Sequence, residues 1–195
     1  MGTGGGGQGQ GYVPDQMAMQ VWRTQMKPAA AGVPAPCVRL FLMEIVPVET
    51  PEHLALIRGL FEEYWQSFGF TPCFQNFAEE VAGLPGYYVP PGGTLALAFV
   101  DGRPAGCVAL RRLDDARAEA KRLYVRPDFR GQGIGLALLQ WVIGEARAAG
   151  YREMLGDTMP VMRRALDMYD QLGFERTEPY AAEPTPGAIY LRLKL

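Results

Sequence analysis

The sequence predicts one α/β domain, a central sheet with helices on both faces. Three observations point to it. Strand-like and amphipathic helical stretches follow one another in the order β-α-α-β-β-β-α-β-α-β-β. Glycine and proline punctuate the boundaries, as at Asp101-Gly102, Gly150 and Gly173. The folded texture is continuous from Met43 to Leu195, within a chain of 195 residues, which is the size of a single core.

Residues 1–42 form the first segment. "MGTGGGGQGQG" and "PAAAGVPAP" are too poor in large apolar side chains to offset the entropy of ordering, so this stretch is expected to be a disordered Gly/Pro-rich extension. The texture changes at Met43, which is read as a candidate translation start.

"MEIVPV" reads as the first strand. Thr50-Pro51 then supplies a capping side chain and a proline suited to the first helical position. Leu54, Ile57, Leu60, Phe61 and Tyr64 follow at helical spacing. "CFQNFAEEVAGLPG" predicts a shorter helix stopped by Gly83 and Pro85. "TLALAFVDGRPAGCVALRRL" is a hairpin turning at Asp101-Gly102, and "AEAKRLYV" is the next strand. A helix is expected from Gly131 to about Ala149, with Ile134, Leu138, Trp141 and Val142 inward. Glu153 to Thr158 is a weak strand, Val161 to Leu172 a helix closed by Gly173, and "AIYLRLKL" the final strand.

Composition narrows the function. The formal net charge is −2, without the clustered basic residues of a nucleic-acid binder. Cys37, Cys73 and Cys107 are scattered, as free thiols in a reducing compartment would be. With one histidine, His53, a structural zinc site or a His-dependent triad is poorly supplied, and no metal is expected. No apolar run approaches the ~20 residues that cross a bilayer, and the start lacks a secretory signal pattern. The expected location is cytoplasmic, with no membrane and no nucleic-acid partner.

"LYVRPDFRGQGIG", residues 123–135, is the most informative stretch. Three glycines at alternate positions stand between a strand and a helix. No Lys-Ser or Lys-Thr follows, as a P-loop requires, and Leu136 occupies the place of the third glycine of a dinucleotide fingerprint. The remaining pattern is R-x-x-G-x-G, Arg130 to Gly135. The first turn of a helix carries unpaired N–H groups and the positive end of the helix dipole, and glycines let a pyrophosphate approach them. A glycine-rich turn without a ligand is the plainer alternative.

The stretch does not stand alone. "EAKRLYVRPDFRGQGIGLALL" resembles the coenzyme-A-binding core of the GNAT N-acetyltransferase family, and "ALDMYDQLGFERT" resembles that family's later helix and strand. The resemblance covers residues 43–195 and extends, through "LPGYYVPPGGTLALA", "CVALRRL", "GDTMPVMRRAL" and "PYAAEPTPGAIYLRL", to a subgroup of small bacterial-type proteins. It implies a single GNAT-like domain with a mixed, mostly antiparallel sheet. It also implies acetyl-CoA as co-substrate and direct acetyl transfer to an amine. Backbone donors of Gly131, Gln132, Gly133, Ile134 and Gly135 would hold the pyrophosphate, with Arg130 adding a charge-assisted contact. The strand Leu123, Tyr124 and Val125 would pair through its backbone with the pantetheine arm.

Tyr169 matches the family's tyrosine four residues before Gly173, where a phenol of pKa ~10 can protonate a departing thiolate. Without the resemblance it would read as core. Glu119 is the candidate base, on one face with Lys121 if no bulge intervenes; a solvated glutamate is the alternative, and His53 a weak rival. Trp65, Phe70, Phe74 and Tyr88 are candidates for the acceptor wall or for ordinary core. Gly156 stands where relatives usually carry leucine, which weakens the strand or leaves room beside the thioester.

The acceptor, a small-molecule or protein amine, is unreadable, and a homodimer is left open. Two other functions compete: a non-catalytic acyl-CoA-binding sensor or interaction domain, and a nucleotide-binding protein. The second lacks a Walker lysine and a metal-binding carboxylate pair.

Overall fold

The computed structural model describes residues 42–67 and 77–195. The N-terminal extension, Leu42 apart, falls outside the described residues, as do Cys37, Phe70, Cys73 and Phe74. The elements are β1 (Met43–Pro47), α1 (Pro51–Gln66), α2 (Phe77–Ala82), β2 (Thr94–Val100), β3 (Arg103–Arg112), β4 (Arg117–Val125), a 3-10 turn (Pro127–Phe129), α3 (Ile134–Ala148), β5 (Glu153–Thr158), α4 (Arg163–Gln171), β6 (Glu175–Thr177) and β7 (Ile189–Lys194).

The local signals act as physical chemistry requires. Thr50 caps α1 by accepting a hydrogen bond from the His53 amide at 3.2 Å, with Pro51 opening the helix. Asp101 and Gly102 take φ of 48° and 73°, the left-handed pair that a two-residue hairpin needs. Leu42 ties the turn down at both ends: its amide donates to Asp101 Oδ1 and its carbonyl accepts from the Asp101 amide.

The strands form one seven-stranded sheet in the order β1-β2-β3-β4-β5-β7-β6. Every neighbouring pair is antiparallel except β4 and β5, which run parallel. Alternation sends Ala118 and Ala120 of β4 to one face, where Leu138, Leu139 and Val142 of α3 and Tyr169 of α4 cover them. Leu97, Cys107 and Tyr124 point to the other face, under Ile57, Leu60 and Phe61 of α1. Each fully buried aliphatic side chain contributes about 1.5–3 kcal/mol.

Two arginines of or just after β4 fasten the covering helices. Arg126 grips Glu63 of α1 with two bonds, at 2.9 and 2.6 Å. Arg122 makes a bidentate pair with Glu80 of α2, whose Oε1 also accepts from the Tyr88 hydroxyl at 2.6 Å.

Candidate active site

The parallel pair β4/β5 is the feature around which the site is built. Its register lasts only from Arg117↔Glu153 to Glu119↔Leu155. Beyond it β4 continues to Val125 and β5 to Thr158, so the two strands part and a cleft opens in the middle of the sheet. On its other edge β4 still pairs with β3, through Gly106↔Val125 and Cys107↔Tyr124. The edge of Ala120–Val125 that faces the cleft therefore presents backbone groups with no partner on β5.

β4 also carries a bulge. The register against β3 shifts between Cys107 and Ala109, and Arg122 takes φ 56°, a left-handed backbone unusual for a residue with a Cβ. The extra residue turns Arg122 toward α2 and Tyr64, on the face of Glu119 and Lys121. Alternation holds up to that point, and Glu119 and Lys121 do share a face, with Nζ–Oε1 at 3.4 Å. After the bulge Leu123 and Val125 pack against the α3/α4 side and Tyr124 against the α1 side.

Tyr169 of α4 reaches the cleft from the α3/α4 side. Its ring packs edge-on to Phe174 at 4.9 Å, and its hydroxyl lies beside Gly156, 3.5 Å from where a Cβ would stand. The hydroxyl lines the cleft and has no hydrogen-bond partner among the described residues. Burial, reinforced by the neighbouring Asp157, Tyr64 and Glu119, pushes its ionisation well above that of a free phenol. The group thus keeps its proton at neutral pH. A larger side chain at position 156 would occupy the space beside it. Gly156 does not break β5, which pairs with β7 through Gly156↔Leu191.

On the opposite face Glu119 is 2% exposed and surrounded by donors. Arg111 Nε and Lys121 Nζ pair with its two oxygens, and the Tyr180 hydroxyl donates to Oε1 at 2.9 Å. Glu119 is thus enclosed, not the solvated strand-end glutamate of the alternative reading, because the register sets Arg111 directly opposite it and Tyr180 arrives from 61 residues away. Asp157, which sequence reasoning missed, lines the same cleft from β5. Its only sequence signal is a charge in a strand, "EMLGDT", whose other central residues are apolar or glycine. Burial raises its pKa, with Glu119 adding to the effect and Lys121, Arg122 and Arg111 opposing it.

The glycine turn lies before α3. Gly131 and Gly133 have φ of 82° and 80°, and a Cβ at either would meet nothing within 4 Å. Their glycines answer to backbone conformation and leave open space before the helix. Gly133 is the N-cap and offers no side-chain cap, so the first-turn amides of Ile134 and Gly135 remain directed outward. Gly135 is needed for a second reason: a Cβ there would come within 3.2 Å of Met168 Sδ on α4. Arg130 is exposed and donates from Nε to the Val125 carbonyl at 2.9 Å, with its guanidinium 5.9 Å from the Tyr124 ring. The Gln132 side chain reaches back to the Asp128 carbonyl at 3.5 Å.

The remaining candidates divide. Tyr88 is core, 3% exposed. Trp65 stacks on Phe77 at 4.4 Å. His53 lies in the first turn of α1, 6.1 Å from the Phe99 ring, and does not line the cleft.

The chain belongs to the acetyltransferase (GNAT) family, whose pattern matches residues 55–174. It is 36% identical over 155 residues to an uncharacterised N-acetyltransferase of Schizosaccharomyces pombe, a match covering 78% of this chain and 95% of that one. A second uncharacterised N-acetyltransferase, of Dictyostelium discoideum, is 26% identical over 78% of this chain and all of its own. Among solved structures, an acetyltransferase of Streptococcus agalactiae superposes with a TM-score of 0.66 at 24% identity, over 78% of this chain and 98% of its own. An acetyltransferase of Salmonella typhimurium solved with its cofactor acetyl-CoA superposes with a TM-score of 0.61 at 18% identity, over 78% of this chain and 93% of its own. These likenesses agree in fold. Among the described residues no helix is long and apolar enough to cross a membrane.

Proposed function

We propose that the protein transfers the acetyl group of acetyl-CoA to an amine by direct attack within a ternary complex. The observation that carries this reading is the split between β4 and β5, with the unpartnered Tyr169 hydroxyl facing into it. The turn 131–135 fits the coenzyme: two glycines leave open space before an uncapped helix, which suits a pyrophosphate. Backbone amides of Gln132, Gly133, Ile134 and Gly135 would hold it, with Arg130 at its flank. The free edge of Leu123, Tyr124 and Val125 would receive the pantetheine amides as a strand receives a neighbour.

Within that frame the coenzyme supplies the activated acyl group and the chain's residues do the rest. Tyr169 donates its proton as the C–S bond breaks. Its raised pKa keeps the proton on the phenol until charge builds on the departing sulfur. Glu119, with Arg111, Lys121 and Tyr180 around it, sets the charge and shape of the acceptor side of the cleft.

The test is release of coenzyme A thiol from acetyl-CoA with a panel of primary amines. Turnover with at least one amine is expected. Tight acetyl-CoA binding with no thiol release for any amine would assign the chain instead to the non-catalytic acyl-CoA-binding class.

A further inference from the structure

The direct-attack scheme needs a group to remove a proton from the acceptor. An alkylammonium of pKa about 10.4 is almost wholly protonated at neutral pH and has no lone pair to attack with. Among the described residues three carboxylates stand in or beside the cleft: Asp157 in its lining, and Glu80 and Glu119 bound to the lining Arg122 and Lys121. Glu80 is bound twice by Arg122 and once by the Tyr88 hydroxyl. Glu119 is bound by Arg111, Lys121 and Tyr180. Asp157 lines the cleft and has neither a hydrogen bond nor an ion pair among the described residues. It is half-buried, so the low-dielectric environment is not relieved by a fixed partner.

We propose that Asp157 accepts the proton of the acceptor ammonium. The proposal rests on the direct-attack reading above. Its placement follows from strand alternation. Gly156 turns toward Tyr169 on the α4 side, so its neighbour Asp157 turns to the other side, where Glu119 and Tyr180 stand. Tyr169 of α4 thus meets β5 at Gly156 from one side, while the next residue, Asp157, turns to the other, and both line the cleft.

The protons balance. Asp157 takes one proton from the ammonium, and the neutral amine forms the new C–N bond. The C–S bond then breaks and the thiolate takes the proton of Tyr169. The second amine proton returns to Tyr169 as the adduct collapses, and Asp157 yields its proton to solvent. One acetyl-CoA and one ammonium give one amide, one coenzyme A thiol and one proton.

The charges around Asp157 set where it titrates. Glu119, Lys121 and Arg122 face it from β4, Arg111 from β3, and Tyr169, Tyr64 and Tyr180 from α4, α1 and the connection before β7. Burial is the largest influence and raises its pKa toward the range where a base is most effective.

Asp157→Asn separates this role from a structural one, with acetyl-CoA and benzylamine as the probe pair. At pH 7 kcat/KM should fall by roughly 10²-fold or more, the range of general-base effects. Acetyl-CoA affinity should not change. The wild-type acid limb should disappear, leaving a rate that climbs with hydroxide, and Asp157→Glu should restore part of both. An Asn variant within twofold of wild type, keeping the same acid limb, overturns the proposal. Carboxylate NMR titration of the wild-type holoprotein, assigned by loss of one signal in Asp157→Asn, gives a readout that needs no turnover. Asp157 should titrate above the ordinary aspartate value of about 3.9; titration at or below it also overturns the proposal. If wild type releases no thiol with benzylamine or any other amine, the direct-attack reading fails, and the assignment of Asp157 falls with it whatever the titration shows.

Discussion

Tyr169→Phe removes one oxygen and nothing else, and the structure says what that oxygen does not do. The hydroxyl has no hydrogen-bond partner among the described residues, so its loss strands no buried donor or acceptor. The ring is 4% exposed and keeps its edge-on packing against Phe174. The change in stability should therefore stay within about 0.5 kcal/mol, which for a domain of this size is ~1–2 °C in Tm. Catalysis should respond differently. If Tyr169 protonates the thiolate, kcat falls by roughly 10²-fold, which is about 2.7 kcal/mol of lost transition-state stabilisation. Acetyl-CoA affinity should barely change, because the donated proton meets charge that develops only as the C–S bond breaks. The assay pairs thiol release under saturating amine with calorimetry for acetyl-CoA and a thermal melt. Turnover within twofold of wild type, together with a melt lowered by many degrees, would refute the reasoning. It would mean that the hydroxyl serves the fold and that another group protonates the leaving thiolate.

Three further outcomes are expected. Gly133→Asp should abolish acetyl-CoA binding in calorimetry, since a carboxylate before α3 repels the pyrophosphate, while its Tm drops only a few degrees for ~1 kcal/mol of left-handed strain. Arg122→Met should cost about 3–5 kcal/mol in denaturant unfolding, because it leaves Glu80 buried without its cation. Burial alone would raise the Glu80 pKa, but Arg122 holds it below the usual value. Its stabilisation is therefore present above about pH 4.5 and lost as pH falls further, so the gap between variant and wild type should narrow in acid. A chain beginning at Met43 should keep cofactor binding and lose at most a few degrees in Tm, the expected effect of giving up the exposed Leu42–Asp101 bonds.

The elements of the fold were legible wherever the signal is local. Thr50-Pro51, Asp101-Gly102, Gly150 and Gly173 mark boundaries through backbone conformation or capping, and the strands and helices begin and end beside them. The glycine turn was legible for the same reason. The bulge at Arg122 was not, because "KRLY" contains no glycine and the distortion arises from the shift in pairing with β3. The surroundings of Glu119 were hidden too. Alternation gave the shared face with Lys121, but burial comes from Arg111 across the register and Tyr180 at a separation of 61 residues. Asp157 carries no motif. It becomes visible only when β4 and β5 part beyond Glu119 and Leu155 and leave its carboxylate in the gap. Local chemistry thus reveals a site's frame, whereas the availability of each charged group depends on contacts that chain order does not disclose.

The crystal structure of the protein with acetyl-CoA tests the central claim most directly. The pyrophosphate should lie on the amides of Gln132 to Gly135, the pantetheine arm along the cleft edge of Leu123 to Val125, and the thioester sulfur within about 3–3.5 Å of the Tyr169 hydroxyl. A coenzyme bound away from the split, or a sulfur with other residues between it and Tyr169, would contradict it.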